Sequence, residues 1–183
     1  MRTQENEPFV ISRDAKAVIV PAGVEVKLKT GQSGFITQAL GGSFTLYIEG
    51  NLFRIAGEDA DAIGKTPVKP LELPPNATED DVKDLVWKQM RTCYDPEIPI
   101  NVVDLGLVYE CDITRNDDDT RTVSVKMTLT APGCGMGDIL RQDLHDAVAA
   151  LNGVEEVEVK LVFDPPWTAS RLSDVARLEL GMM

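Results

Sequence analysis

Apolar and polar positions change period along this chain, and the change marks its organisation. Val24-Glu25-Val26-Lys27-Leu28-Lys29 alternates strictly. A half-buried strand does this, because successive side chains of an extended chain point to opposite faces. Ala17–Val20 is a short apolar run stopped by Pro21-Ala22-Gly23. Gly41-Gly42 separates Phe35–Leu40 from Phe44–Ile48, and Gly50-Asn51 separates that run from Leu52–Ile55. Paired runs around such turns signal hairpins. Short strands punctuated by glycine predict a small all-β, barrel-like module over residues 1–65.

Residues 66–75 read TPVKPLELPP, with four prolines in ten residues. Proline locks φ and lacks an N–H, so this run holds neither a helix nor a central strand and reads as a semi-rigid linker. Beyond it, in residues 76–183, the elements alternate. Thr78 can cap a helix whose apolar stripe is Val82, Leu85, Val86, Met90 and Cys93. A proline-broken loop, Asp95–Pro99, follows. Leu107, Tyr109, Cys111 and Ile113 lie on one face of a strand, with Glu110 and Asp112 on the other. Asn116–Thr120 is an acidic turn, and Val123, Val125, Met127 and Leu129 mark the next strand. Leu140, Leu144, Ala147, Val148 and Leu151 give a second helix, ended by Asn152-Gly153. Val157, Val159, Leu161 and Phe163 make a third strand, and Leu172–Leu180 a last short helix. The expected fold class is therefore α+β: helices on a mixed sheet in the order α-β-β-α-β, preceded by the all-β module.

Composition narrows the function classes. The 183 residues carry 18 Lys+Arg against 30 Asp+Glu, a net charge of −12. That balance opposes nucleic-acid binding, which needs clustered cations, and opposes docking on an anionic membrane. No run approaches the roughly 18 consecutive apolar residues of a membrane span, and the N-terminus MRTQENEPFV has no apolar core of a signal peptide. Three cysteines without scaffold spacing fit a reducing cytoplasm.

Cys134 is the most informative residue. It sits in Thr130-Ala131-Pro132-Gly133-Cys134-Gly135-Met136-Gly137, directly before the second helix. Glycines let a ligand approach the backbone, and a helix N-terminus favours the thiolate, the form that binds soft metals. The competing reading is a small residue filling a tight turn. Cys93 and Cys111 continue apolar stripes and read as core. No CxxC pair exists, so the four thiolates of a closed zinc or iron–sulfur site are lacking. Asp95 and Glu97 flank Pro96 on the loop after the first helix, with Asp104 close behind. They could bind a hard cation or serve acid–base chemistry, or simply initiate a turn as solvated acids. His145, the only histidine, reads as a surface residue. Trp167, after Pro165-Pro166, reads as an anchoring core aromatic.

Several of these segments together carry a resemblance. Asp95–Pro99 (DPEIP), Val102–Val108 (VVDLGLV), Met127–Gly137 (MTLTAPGCGMG), Leu161–Trp167 (LVFDPPW) and Ala176–Gly181 (ARLELG) resemble SufT proteins, auxiliary iron–sulfur cluster assembly factors. Their C-terminal α+β domain is shared with the cytosolic iron–sulfur targeting factors of eukaryotes and with the PaaD protein. Ile36–Thr45 (ITQALGGSFT) and Gly50–Gly64 (GNLFRIAGEDADAIG) resemble the extra N-terminal domain of SufT. The resemblance implies that Cys134 is the family's characteristic cysteine and a candidate iron–sulfur ligand. Asp95 and Glu97 match its acidic loop, and Thr130 its hydroxyl residue near the thiol. Gly135 departs from the proline common in the wider family. Cys93 and Cys111 acquire no role.

The implied function is a non-enzymatic auxiliary factor that aids maturation or delivery of clusters through the Cys134 thiolate. It would hold iron or a cluster transiently, with no other cofactor, and a dimer pairing two Cys134 thiolates could bridge a small cluster. Its partners would be iron–sulfur scaffold or carrier proteins and client apo-enzymes. The alternative is a metal-free docking adaptor in the same pathway, and a thiol-dependent enzyme ranks last for want of a base. In an α-β-β-α-β layer, the loop leaving the first helix and the loop entering the second share a sheet end. Asp95 is therefore expected near Cys134 and, as an exposed loop acid, to be dispensable for folding.

Overall fold

A computed structural model describes residues 6–40, 42–69, 71–95, 98–133, 135 and 137–182. The chain divides into two compact units, Met1–Pro70 and Leu71–Met183.

The first unit is a six-stranded antiparallel sheet. Its strands are β1 (Glu7–Val10), β2 (Ala15–Val20), β3 (Val24–Leu28), β4 (Ser33–Leu40), β5 (Ser43–Ile48) and β6 (Asn51–Ala56), in the spatial order β1-β4-β5-β6-β2-β3. Among the described residues no pairing joins the edge strands β1 and β3, so the expected barrel-like module is an open sheet. The β5–β6 hairpin pairs Ile48 with Asn51 across Glu49-Gly50, where both turn residues have positive φ. Only a turn of that hand continues the right-handed twist of the strands. One face buries Phe9, Ile36, Leu46, Ile48 and Ile55 with Ile63 of a 3-10 helix, Gly57–Ile63. On the opposite face, strand register aligns Pro8, Phe35, Tyr47, Leu52 and Val20 in one cross-strand row. Phe35 and Tyr47 in that row are 46% and 43% exposed. Strand β1 and the 3-10 helix went unnoticed in the pattern, because Glu7–Val10 is short and Gly57–Ile63 is rich in acid and alanine.

The second unit runs α1 (Glu79–Met90), β7 (Val108–Arg115), β8 (Arg121–Met127), α2 (Gly137–Ala149), β9 (Val154–Leu161), a 3-10 turn Ala169–Arg171, and α3 (Asp174–Glu179). The sheet order is β7-β8-β9, with β7 antiparallel and β9 parallel to β8. This is the expected mixed α-β-β-α-β layer. Thr78 starts α1 through a full capping box: its hydroxyl accepts from the Asp81 N–H, and the Asp81 carboxylate accepts from the Thr78 N–H. Val82, Val86 and Met90 of α1 and Leu140, Leu144 and Val148 of α2 pack on Val123, Val125, Met127 and Val159. The other face of the sheet is polar. Glu110, Lys126 and Lys160 form one cross-strand row, tied by a Lys126–Glu110 ion pair of 2.6 Å. Three strand-end expectations fail here: Leu107 precedes β7, Leu129 follows β8, and Phe163 lies beyond β9, which ends at Leu161, and is 51% exposed. The turn Asp164-Pro165-Pro166 removes ladder donors just past this point, so the period-2 pattern outlasts the pairing. Among the described residues, no helix is long and apolar enough to cross a membrane.

Candidate functional site

Three connections of the second unit meet at one end of its sheet. Val108, which opens β7, is paired with Met127, which closes β8, and Met127 lies beside Leu161, which closes β9. The loop from α1 into β7, the loop from β8 into α2 and the exit from β9 therefore share this end. Asp95 and Asp104 belong to the first of these, Thr130 to the second.

Asp95 is 6% exposed, not the solvated loop acid expected from its neighbourhood of prolines. Its Oδ1 accepts the Ile98 N–H at 2.9 Å, while its own N–H donates to the Ile100 carbonyl at 3.1 Å. The side chain thus replaces a backbone acceptor inside a tight loop, which is how aspartate organises turns. Tyr94 bridges Asn101 in antiparallel fashion, and the Val102 N–H donates to the Cys93 carbonyl at 2.9 Å. The loop is consequently closed on itself by main-chain bonds.

Residues 101–107 form a second ordered turn. Asn101 Oδ1 accepts from the N–H groups of Val103 and Asp104, and Asn101 Nδ2 donates to Asp104 Oδ2 at 2.6 Å. Gly106 has φ +70, and a Cβ there would stand 2.3 Å from the Arg171 carbonyl oxygen. Glycine is required on both counts. The Leu107 carbonyl accepts the Thr128 N–H at 2.8 Å and so ties this turn to the exit of β8. Tyr94 has a raised pKa, through burial and the charges of Glu179 and Asp104.

After β8, Thr128 and Leu129 are buried and Thr130 is partly buried. Leu129 packs over Gly137, where a Cβ would come within 2.6 Å of its Cδ1. Leu129, at the exit of β8, and Gly137, at the start of α2, therefore lie side by side. Cys134 and Glu97, the other two candidate site residues, lie outside the described residues. Among the described residues no three His, Cys, Asp or Glu side chains form a group that could hold a metal ion.

The remaining thiols are placed as core residues. Cys93 is buried, and its Sγ donates to the Asp143 carbonyl at 3.6 Å. Cys111 is partly buried, and desolvation, with Asp112 beside it, pushes its thiol up to about 11. His145 sits part-exposed on α2 with Nδ1 3.0 Å from Asp146. Trp167 packs on the core, as expected, and its Nε1–H donates to the Leu105 carbonyl at 2.7 Å. The contribution of Asn101 to this sheet end, and of Tyr109, whose hydroxyl donates to the Pro165 carbonyl at 2.7 Å, was missed. The Asn-x-x-Asp spacing of Asn101 and Asp104 was the available signal for a side-chain-built turn.

Comparison with known proteins places the chain in a family. The family profile described as "Iron-sulfur cluster assembly protein" matches residues 83–161, within the second unit. A "Fe-S protein maturation auxiliary factor" of Porphyromonas gingivalis is 42% identical over 106 residues, covering 58% of this chain and 93% of that protein. The "Fe-S protein maturation auxiliary factor SufT" of Staphylococcus aureus is 38% identical over 88 residues, 48% of this chain and 96% of that protein. An "Iron-sulfur cluster carrier protein" of Synechocystis is 34% identical over 83 residues, 45% of this chain but 22% of that protein. These likenesses define the class, an iron–sulfur maturation protein. This chain belongs to the iron–sulfur cluster assembly family that includes the SufT maturation auxiliary factors.

Proposed function

We propose that this protein is a non-enzymatic auxiliary factor that aids delivery of iron–sulfur clusters to client apo-proteins, with the Cys134 thiolate as the contact to its cargo. The observation that carries the reading is the family membership together with the shared sheet end. The loop bearing Asp95 and the exit of β8 toward Thr130 stand there side by side, linked by the Thr128–Leu107 bond. A thiolate supplied before a helix N-terminus binds iron softly, and neighbouring oxygen donors can complete a labile shell. Few protein ligands leave a cluster open to transfer, which suits a carrier better than a store. Scaffold or carrier proteins would load the site, and client apo-enzymes would unload it. The test is the activity of iron–sulfur enzymes in cells under high cluster demand. Cells carrying Cys134→Ala should lose activity as a deletion strain does, and normal activity would reject the thiolate role.

A further inference from the structure

The segment that follows β9 crosses the sheet end as a strap. From Phe163 to Arg171 every residue except Trp167 is exposed, yet the segment is pinned at successive points. The Trp167 Nε1–H donates to the Leu105 carbonyl at 2.7 Å, and the Tyr109 hydroxyl donates to the Pro165 carbonyl at 2.7 Å. The Arg171 guanidinium lies 4.0 Å over the Tyr109 ring. The Ser173 N–H donates to the Asp104 carbonyl at 2.8 Å. Leu172 and Ala176 then enter the core. All these anchors fall on residues 104–109, the turn into β7. A segment this exposed gains little from burial, so directed hydrogen bonds and a cation–π contact hold it.

We infer that Trp167 is a positioning residue. It clamps the 101–107 turn and, through the Tyr94–Asn101 bridge and the Cys93–Val102 bond, holds the buried Asp95 loop against the exit of β8. The effect on cluster delivery rests on the proposed function; the effect on loop order does not. Trp167→Phe keeps most of the ring and deletes the donor, and Tyr109→Phe deletes the second anchor.

Hydrogen exchange on the full chain tests the clamp. In Trp167→Phe, the bonded amides of Asp95, Val102, Leu105, Gly106 and Leu107 should exchange roughly three- to tenfold faster, the factor one net hydrogen bond carries. The amides of Val125 and Leu144 should keep their wild-type rates. Activity of iron–sulfur enzymes in cells should fall alongside. Unchanged exchange at the loop amides overturns the inference, and so does an equal rise at Val125 and Leu144, which would mean general loosening. Tyr109→Phe carries the same criteria if Trp167→Phe fails to fold. Normal cellular activity in Trp167→Phe beside a loss in Cys134→Ala also overturns it. Normal activity in Cys134→Ala would instead reject the functional reading, leaving the clamp to stand on exchange alone.

Discussion

The carboxylate of Asp95 accepts the backbone N–H of Ile98 at 2.9 Å, and the residue carrying it is 6% exposed. A buried acid that substitutes for a main-chain acceptor belongs to the fold as much as to any chemistry. Truncation to Ala should therefore leave the Ile98 donor unpaired and cost about 1–3 kcal/mol. Asp95→Asn retains an acceptor oxygen and should cost less while removing the charge. Urea unfolding of both variants separates the two contributions. A destabilisation in Asp95→Ala within about 0.5 kcal/mol, the range of surface substitutions, would mean that the turn does not depend on this side chain.

The three thiols should differ sharply in reactivity. Thiolate is the nucleophile, and a thiol whose pKa is pushed up to about 11, as at Cys111, is only about one part in a thousand thiolate at pH 8. Cys93 is buried and its Sγ is engaged with the Asp143 carbonyl. Competitive alkylation at pH 8, read by mass spectrometry, should label Cys134 first. Faster labelling of either core thiol would remove the chemical basis for the proposed site.

The capping box at the start of α1 predicts an acid-sensitive step. Backbone and hydroxyl hydrogen bonds from Thr78 hold the Asp81 carboxyl below the usual aspartate range. Because the folded pKa is depressed, the stabilisation is complete above the unfolded aspartate value, about 4. It is lost as pH falls through the lower, folded value. Thermal unfolding of the wild type and Asp81→Asn should therefore differ at pH 7 and converge toward pH 2. A gap that stays constant over this range would show that the carboxylate's charge is irrelevant to the cap.

The two units should be separable. Each has its own buried cluster, one around Leu46 and Ile55, the other around Val86, Leu107 and Leu144. Residues 71–183 expressed alone should give a single cooperative thermal transition. A disordered fragment would mean that the first sheet completes the second core.

Much of this architecture was legible in the sequence because it follows short-range rules. The capping residue Thr78 reports the start of α1, and the α1 stripe and the alternation of Val123, Val125 and Met127 each report on one buried face. The sheet end was legible as a meeting of two loops, since antiparallel β7–β8 pairing returns the chain to where it began. The burial of Asp95 was not, because prolines and acids predict exposure, and only the closure of the loop on Ile98 and Ile100 gives the carboxylate an internal partner. The strap was equally hidden. Its anchors join Trp167 to Leu105 and Pro165 to Tyr109, pairs some sixty positions apart that no local pattern connects. Phe163 shows the reverse error: alternation continued in sequence after the ladder had stopped.

Binding of cargo through Cys134 is read by anaerobic reconstitution with ferrous iron and sulfide. After desalting, the wild-type protein should retain a visible charge-transfer absorption that Cys134→Ala lacks, while Cys93→Ala and Cys111→Ala retain it. Equal absorption in wild type and Cys134→Ala, or none in either, would contradict a thiolate carrier. The second result would point instead to a factor that docks its partners without holding the cluster.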